Sequence, residues 1–209
     1  MSELIKINSS RPDPLTMQRA ARLIKRDGII AFPTETVYGL GANALSEKAI
    51  MRVFQIKGRD PKKPIPILID KKETLCGLVT DIPEKGEILM KNFWPGGLTI
   101  VFEASSKIPP LLLGNTGKIG VRISSCNIVQ KLVEQAGTPI TATSANISGQ
   151  KNCSSATEVY ENLGEIIDMI LDGGKTAGYL GSTVIDVTCC PAKIIREGVI
   201  RSRDIKRYL

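Results

Sequence analysis

Short apolar runs alternate along this chain with helical patterns, and this alternation constrains the fold more than any other feature of the sequence. Runs such as 29–32 and 98–104 are predicted strands. Helical patterns that begin at capping residues and end near glycine separate some of them. The alternation is typical of α/β proteins, but the helices do not space the strands evenly, so a regular doubly wound parallel sheet is not expected. We predict one mixed α/β domain over residues 10–205, with terminal extensions at 1–9 and 206–209.

Local signals define the individual elements. Asp13 and Pro14 open a helix that ends at Gly28, and Ser46 caps a second helix that runs to about Ile56. Further helices are predicted near 71–77, 84–93, 127–136 and 157–163. Strands are predicted at 29–32, 65–69, 98–104, 119–123, 140–144, 166–172, 182–187 and 192–196.

Composition limits the cellular setting that we expect. The chain has 209 residues, of which 42% are apolar, which is enough for one domain with a substantial core. Its apolar runs fall short of the roughly 18 residues of a membrane span, and MSELIKINSS lacks the apolar segment of a secretory signal. Five cysteines, an odd number without metal-ligand spacing, fit a reducing compartment. We therefore expect a cytoplasmic protein with no membrane partner.

The absence of histidine limits the chemistry. It excludes an imidazole base, histidine metal ligands and a Ser-His-Asp triad. The formal charge of +7, from 28 Lys and Arg against 21 Asp and Glu, favours anionic partners. Aromatic residues make up only 4%, which argues against stacking on single-stranded nucleic acid. Binding of double-stranded RNA or tRNA stays open as an alternative role.

A cation cluster follows the second predicted helix, and two interpretations fit it. The cluster comprises Lys57, Arg59, Lys62 and Lys63, among the prolines Pro61, Pro64 and Pro66. Cations at a helix C-terminus complement its dipole, which accounts for one charge. Cations on a backbone stiffened by proline also cost less entropy to order on a polyphosphate. The hydroxyl-rich loop PTET at 33–36 precedes the cluster, and together they suit a small anionic ligand.

Polar residues at other predicted strands have similar alternatives. Ser144 and Asn146 follow the run ITAT, where they form either an ordinary Asn/Ser/Gly turn or a set of ligand donors. Arg122 and Arg196 lie in otherwise apolar strands, so each must point to an exposed face or meet an anion. A third pattern, G-x-G-x-x-A at 39–44, resembles a dinucleotide fingerprint. The sequence PTETVY separates it from the preceding strand, so we reject that function.

The motifs taken together resemble a known family. They are PTETVYGLG at 33–41, KGR at 57–59, FWPGGLTIV at 93–101, VRI at 121–123, TSANISG at 143–149 and STVID at 182–186. In this order and spacing the chain resembles the YrdC/Sua5 family, the L-threonylcarbamoyladenylate synthases, from about residue 10 to 205. The resemblance implies a twisted, mixed open sheet with helices around a deep, positively charged cavity. It also implies the short form, without the C-terminal Sua5 domain, since the sequence ends at Leu209.

The resemblance implies a nucleotidyltransferase reaction. L-threonine, bicarbonate and ATP give threonylcarbamoyl-AMP and pyrophosphate, and the product serves N6-threonylcarbamoylation of adenosine 37 in tRNA through separate transfer machinery. Such chemistry depends on positioning and charge neutralisation, so a site of Lys, Arg, Ser, Thr and Asn is adequate without histidine. Mg²⁺ would arrive with the ATP phosphates, so no dedicated metal site is expected.

The family motifs also imply roles for individual residues. The threonine-binding positions are Thr36, Arg122 and Ser182. The nucleotide-binding positions are Lys57, Arg59, Lys63, Lys118, Ser144 and Arg196. The positions assigned to catalysis are Lys57, Arg59, Ser144 and Asn146, at the phosphate and carbamoyl groups.

One position departs from the family pattern. Many members carry a histidine in a sequence like PLIVH that helps to hold threonine, whereas this chain reads PIPILI with Leu68 in that place. A YciO-type paralogue without synthase activity is therefore the first alternative, and an RNA-binding protein is the second. A hydrolase of small carbamoyl compounds is disfavoured, because the sequence offers no nucleophile–base pair.

Overall fold

The structure, a computed structural model, describes residues 2–178 and 180–209. The strands are β1 Glu3–Lys6, β2 Ile30–Phe32, β3 Gly39–Gly41, β4 Ile67–Leu68, β5 Leu98–Glu103, β6 Lys118–Arg122, β7 Ile140–Thr141, β8 Thr143–Ser144, β9 Met169–Asp172, β10 Thr183–Asp186 and β11 Lys193–Arg196. The α-helices are α1 Pro14–Lys25, α2 Glu47–Lys57, α3 Glu84–Phe93, α4 Asn127–Ala136, α5 Ala156–Leu163 and α6 Ser202–Ile205. Short 3₁₀ turns form at Lys72–Gly77, Pro110–Leu112 and Lys206–Tyr208.

The strands form two mixed sheets, in the orders β1-β9-β2-β3-β8 and β11-β10-β5-β6-β4-β7. The mixed α/β class is therefore confirmed, but two sheets replace the single open sheet that was predicted. The predicted strand 140–144 explains part of the difference, because it breaks at Ala142. Its first half, β7, pairs with β4 in the six-stranded sheet, and its second half, β8, pairs with β3 in the five-stranded sheet.

Helix boundaries follow the predicted caps. The Asp13 carboxylate accepts a hydrogen bond from the backbone N–H of Thr16, with Pro14 in the first turn of α1. The hydroxyl of Ser46 caps α2 in the same way, through the N–H of Ala49. Gly58 ends α2 in the left-handed conformation at φ 53°, which glycine adopts without steric cost. These caps fix the position of Lys57 in the last turn of α2.

Two strands were missed by the sequence analysis. β1 lies in the predicted N-terminal extension, yet it pairs in parallel with β9 and so belongs to the five-stranded sheet. β3 consists of the residues Gly-Leu-Gly, which have poor strand propensity. A Cβ atom on Gly41 would lie 2.5 Å from the Phe32 ring, so glycine makes room for that ring. The glycines of the G-x-G pattern therefore allow close packing within the sheet.

The core has two parts, one on each face of the five-stranded sheet. Alternate residues of β2 point to opposite faces: Ile30 and Phe32 join the smaller cluster with α1 and α4, while Ala31 joins the larger one. The larger cluster also holds the apolar sides of α2, α3 and α5 and of the six-stranded sheet. In the described residues, no helix combines the length and apolar character that crossing a bilayer requires.

Candidate active site

Two adjoining cavities, of about 310 and 470 Å³, lie where the ends of both sheets meet. The first cavity is lined by Thr36 from the β2–β3 loop and by Arg122 from β6. Ser182, which precedes β10, and Arg196, which ends β11, line it from the open end of the β10–β11 hairpin. The second cavity is lined by the end of α2, the loop after it and the 144–152 segment. Arg59, Ser144 and Asn152 line both cavities, so the two form one continuous site.

The PTET loop supplies an oriented hydroxyl to the first cavity. The Thr34 hydroxyl donates to the carbonyl of Val37 at 2.7 Å and accepts from the backbone N–H of Thr36 at 3.0 Å. The two threonine hydroxyls lie 2.8 Å apart. Because Thr34 gives its only hydroxyl proton to Val37, Thr36 must donate to Thr34. The Thr36 oxygen therefore presents its lone pairs as acceptors at a nearly buried position.

Arg122 is buried at the end of β6 with 6% of its surface exposed. Its Nε–H donates to the carbonyl of Gly96 at 3.0 Å, and its Nη2 lies 2.6 Å from the Oε1 of Glu35. Glu35 also accepts a short hydrogen bond from the hydroxyl of Ser124. Burial would raise the pKa of Glu35, but the charge of Arg122 and these hydrogen bonds hold the pKa below its ordinary value.

Ser182 and Arg196 are joined directly. The guanidinium of Arg196 donates from Nε and Nη2 to the carbonyl of Ser182, at 3.2 and 2.8 Å. Its Nη2 also lies 3.3 Å from the Ser182 hydroxyl, which is 2.8 Å from the hydroxyl of Thr99. Burial and the neighbouring charge of Arg122 lower the pKa of Arg196. The late strand arginine is therefore held at the first cavity, and its assignment to the nucleotide stays a prediction.

Arg59 anchors the proline-rich loop that follows α2. Its Nε donates to the carbonyl of Lys63 at 3.2 Å and its Nη2 to that of Pro64 at 2.9 Å. Burial and the nearby charge of Arg196 lower the pKa of Arg59. Within the described residues, neither Arg59 nor Arg196 forms an ion pair. The charges of Arg59 and Arg196 thus repel each other at one site, and an anion bound there would relieve the repulsion.

Lys57 contacts the protein interior, whereas the sequence predicts a position at the phosphates. Only 2% of it is exposed, and its ammonium donates to the carbonyls of Ser144 and Asn146 at 2.5 and 2.6 Å. Burial, with the charge of Arg59, lowers the pKa of Lys57 to about 8. These carbonyls belong to the Ser-Ala-Asn segment rather than to α2, so helix-dipole complementation does not explain the contact. Lys57 lines the second cavity while it holds that segment in place.

Asn146 stabilises the same segment. Its Nδ2 donates to the carbonyls of Ile147 and Gln150, at 3.0 and 2.7 Å. Ser144 lies two residues earlier, where both cavities meet, and Lys63 lines the second cavity. The site therefore brings together these predicted residues: Thr36, Lys57, Arg59, Lys63, Arg122, Ser144, Asn146, Ser182 and Arg196.

Lys118 is the exception, because the structure places this predicted nucleotide-binding residue away from both cavities. It begins β6, whereas Arg122 ends that strand, so about 13 Å of extended chain separates the two at roughly 3.3 Å per residue. Its Nζ pairs with Asp186 at 3.1 Å, and this hydrogen bond raises the pKa of Lys118. Lys118 lines neither cavity. A spacing of four residues places side chains together on a helix but not on a strand.

Several polar residues at or behind the cavities were not predicted from the sequence. Among them, Glu197 lines the first cavity and Asp60 the second. Glu35 lies within the PTET motif, and a carboxylate beside a predicted cation site was a signal that could have identified it. Asn152 lines both cavities but lies in an irregular segment without any pattern that marks it. In the described part of the chain, no three His, Cys, Asp or Glu side chains lie close enough together to hold a metal ion.

The mixed α/β fold thus brings hydroxyl groups and several cations to two joined cavities, an arrangement that suits small anionic ligands. Residues 22–198 match the Sua5/YciO/YrdC family model, whose description is "Telomere recombination". The chain belongs to this family, which confirms the resemblance of its motifs.

Two curated relatives carry the name threonylcarbamoyl-AMP synthase. The protein from Pyrococcus abyssi (strain GE5 / Orsay) is 43% identical over 190 residues, which cover 91% of this chain and 56% of the relative. The protein from Bacillus subtilis (strain 168) is 35% identical over 201 residues, covering 96% of this chain and 58% of the relative. This chain thus spans little more than half the length of these relatives.

Solved structures agree with the fold. The structure of Pyrococcus abyssi Sua5 complexed with L-threonine superposes with a TM-score of 0.96 at 40% identity, covering 100% of this chain and 61% of that one. E. coli YciO superposes with a TM-score of 0.90 at 27% identity, and the match covers 100% of both chains. The arrangement of two mixed sheets is therefore shared with solved Sua5 and YciO structures.

Proposed function

We propose that this chain is a nucleotidyltransferase that makes L-threonylcarbamoyladenylate and pyrophosphate from L-threonine, bicarbonate and ATP. The observation that carries the proposal is that Arg59 and Arg196, two cations without ion-pair partners among the described residues, both line a cavity that hydroxyl groups also line. The names of the relatives from Pyrococcus abyssi and Bacillus subtilis support the same reaction.

We assign L-threonine to the first cavity. Arg122 and Ser182 offer donors for its carboxylate, and the lone pairs of Thr36 accept an N–H from its amino group. Leu68 lines the same cavity, so an apolar wall faces the substrate at the position where many family members carry histidine. The Pyrococcus abyssi structure with L-threonine supports this assignment at 40% identity.

We assign the phosphates of ATP to the second cavity and its junction with the first. Arg59 and Lys63 face these phosphates, and Lys57 contributes its charge from behind the Ser-Ala-Asn segment. Ser144, which lines both cavities, lies where the carbamoyl group meets the α-phosphate. Mg²⁺ enters as part of the MgATP substrate, bound mainly through phosphate oxygens.

The reaction needs charge neutralisation more than a protein base. The threonine amine condenses with bicarbonate to a carbamate and releases water. A carbamate oxygen then attacks the α-phosphorus, and the bond to pyrophosphate breaks. Negative charge spreads over the phosphate oxygens in this step, and fixed cations such as Arg59 and Arg196 stabilise it. The site can therefore work without histidine.

The product has a downstream use that follows from the same proposal. Separate transfer proteins would pass the threonylcarbamoyl group to adenosine 37 of tRNA in the cytoplasm. This chain would meet tRNA only indirectly, and its binding to double-stranded RNA would be a secondary property of its basic surface.

Alanine variants test the proposal through pyrophosphate release. Arg59→Ala should lower kcat/KM by about a hundredfold, because it removes a charge that stabilises the transition state. Lys118→Ala is the matched control, since it removes a cation that lines neither cavity, and its kcat/KM should stay within about twofold. Equal effects of the two variants would mean that the cluster is ordinary surface charge, and the proposal would fail.

A further inference from the structure

We propose that Glu35 is a positioning residue whose carboxylate aims the guanidinium of Arg122 into the first cavity and thereby sets the affinity for the amino-acid substrate. The inference rests on the proposed function, because it takes the first cavity as the amino-acid end. It adds a residue that has no place among the predicted site residues.

The contacts of Arg122 leave little freedom to its guanidinium. The Gly96 carbonyl accepts from Nε at 3.0 Å, and Glu35 Oε1 lies 2.6 Å from Nη2. Both charged atoms of that pair are shielded from solvent. The hydrogen bond to Gly96 occupies Nε, whereas the contact between Nη2 and Glu35 Oε1 is an ion pair without hydrogen-bond geometry. The remaining guanidinium N–H groups are available to a ligand in the cavity. Without Glu35, only the Gly96 carbonyl would fix the plane of the guanidinium.

The carboxylate is itself held from behind. The hydroxyl of Ser124 donates to Glu35 Oε2, and the carbonyl of Ser124 accepts from Nε2 of Gln130 on α4 at 3.0 Å. Ser124 is 1% exposed, so this anchor is part of the core. Glu35 does not itself line the first cavity, whereas Arg122 does. The geometry therefore makes Glu35 a support for Arg122 and not a contact of the ligand.

The pair also joins two parts of the site that belong to different sheets. Glu35 lies between Thr34 and Thr36 in the loop of the five-stranded sheet, and Arg122 ends β6 of the six-stranded sheet. The ion pair thus fixes the distance between the Thr36 hydroxyl and the Arg122 guanidinium, the two groups that we assign to the amino and carboxylate ends of threonine.

The ion pair of Arg52 with Asp168 provides the matched comparison. Its two charged groups lie 3.1 Å apart, and Asp168 also accepts from the backbone N–H of Ile29. The pair therefore stabilises the packing of α2 against the starts of β2 and β9. Neither residue lines either cavity. Asp168→Ala therefore breaks a more exposed ion pair away from the cavities and lowers stability, without disturbing Arg122.

Steady-state kinetics of pyrophosphate release, with L-threonine and MgATP varied separately, test the proposal. We expect Glu35→Ala to raise the KM for threonine about tenfold, because the Arg122 guanidinium loses the buried ion pair that positions it, while the KM for ATP stays within about twofold. Glu35→Gln should recover most of the loss, because its amide oxygen can accept from Arg122 and its NH₂ can donate to Ser124. Asp168→Ala should leave both KM values within about twofold.

Other outcomes overturn the proposal. The proposal fails if Glu35→Ala changes both KM values equally or changes neither. It also fails if Glu35→Gln is as impaired as Glu35→Ala. If Glu35→Ala does not fold, Ser124→Ala removes the rear anchor and should raise the threonine KM about threefold, and an unchanged value contradicts the proposal. Calorimetric titration of the wild-type chain with threonine separates the two failures. A wild-type chain that binds no threonine refutes the proposed function. A wild-type chain that binds threonine, together with variants that show no selective loss for threonine, refutes only the role of Glu35.

Discussion

At the scale of single residues, the ammonium of Lys57 connects the end of α2 to the Ser-Ala-Asn segment. It is almost fully buried and its two observed contacts are neutral carbonyl oxygens. A buried ammonium without a carboxylate partner costs free energy, which is why the pKa of Lys57 falls to about 8. The protein thereby keeps a positive charge beside the second cavity that a nearby carboxylate does not neutralise.

The lowered pKa of Lys57 predicts opposite effects of alkaline pH on activity and stability. Above about pH 8, Lys57 loses its proton in the folded chain, so kcat/KM for pyrophosphate release should fall. The unfolded chain holds that proton up to its ordinary value of 10.5, so it binds more protons than the folded chain between about 8 and 10.5. The contribution of Lys57 to the free energy of unfolding should therefore rise with pH in this window, as its burial penalty is relieved.

Rate profiles and urea unfolding at several pH values, with Lys57→Met as the comparison, check both effects. The variant lacks the titrating group and should lose this rise in stability between pH 8 and 10.5. A wild-type rate that stays level to pH 10 would contradict the assigned role of the ammonium.

At the scale of elements, Gly114 supports the loop that Arg59 organises. It adopts φ +53°, and a Cβ atom there would collide with the carbonyl oxygen of Lys62 and lie 2.7 Å from the nitrogen of Pro64. The loop at 60–64 therefore packs directly on this glycine. Arg59 donates to two carbonyls of the same loop, so the position of its guanidinium depends on the packing.

Gly114→Ala should displace this loop and raise the KM for ATP several-fold, while the KM for threonine changes little. We also expect the free energy of unfolding to fall by about 1–3 kcal/mol from overpacking and backbone strain. Gly137→Ala is the matched control, because Gly137 has φ +62° but no atom within 4 Å of the added methyl. Urea unfolding and substrate kinetics on both variants distinguish collision from strain; identical behaviour would show that the loop does not depend on Gly114.

Sequence patterns predicted the elements well where local signals are strong. Asp13, Pro14 and Ser46 located two helix starts, because capping chemistry involves neighbouring residues only. The break at Ala142 could not be predicted, because it depends on which partner strand each half meets. β3 was missed for a related reason: its glycines oppose strand formation locally, and the Phe32 ring that they accommodate lies on the neighbouring strand β2, where only strand pairing brings it close.

The candidate site was predictable to a similar extent. The family motifs indicated Arg59, Ser144 and Arg196, and all three line the cavities, because they lie at or near the ends of elements that the fold brings together. Lys118 was misplaced because spacing alone does not tell which end of a strand faces a ligand. The internal role of Lys57 depends on the carbonyls of a segment 87 and 89 residues away, which no local pattern reveals.

At the scale of the whole molecule, the charge distribution predicts a different electrostatic response for each of the two proposed substrates. The chain carries a net charge of +7, and Arg59 and Arg196 bring two cations to the site without ion-pair partners among the described residues. Arg122, by contrast, is neutralised by Glu35 at the amino-acid end. A polyphosphate should therefore respond to the long-range potential of the protein, and a zwitterion such as threonine should not.

This difference predicts distinct salt dependences. Raising NaCl from about 50 to 500 mM should weaken ATP binding about tenfold, because screening shortens the reach of the cations. The Kd for threonine should change by less than about twofold. Isothermal titration at both salt concentrations measures the two values, and an equal response of ATP and threonine would contradict the assignment of the two cavities.

The central claim is the synthesis of threonylcarbamoyl-AMP, and product analysis tests it most directly. The chain is incubated with MgATP, L-threonine and ¹³C-labelled bicarbonate, and the products are measured by mass spectrometry together with a pyrophosphate assay. We predict labelled threonylcarbamoyl-AMP with one pyrophosphate per product, and no product when any substrate is omitted. Folded protein that forms neither labelled product nor pyrophosphate under these conditions would contradict the proposed function.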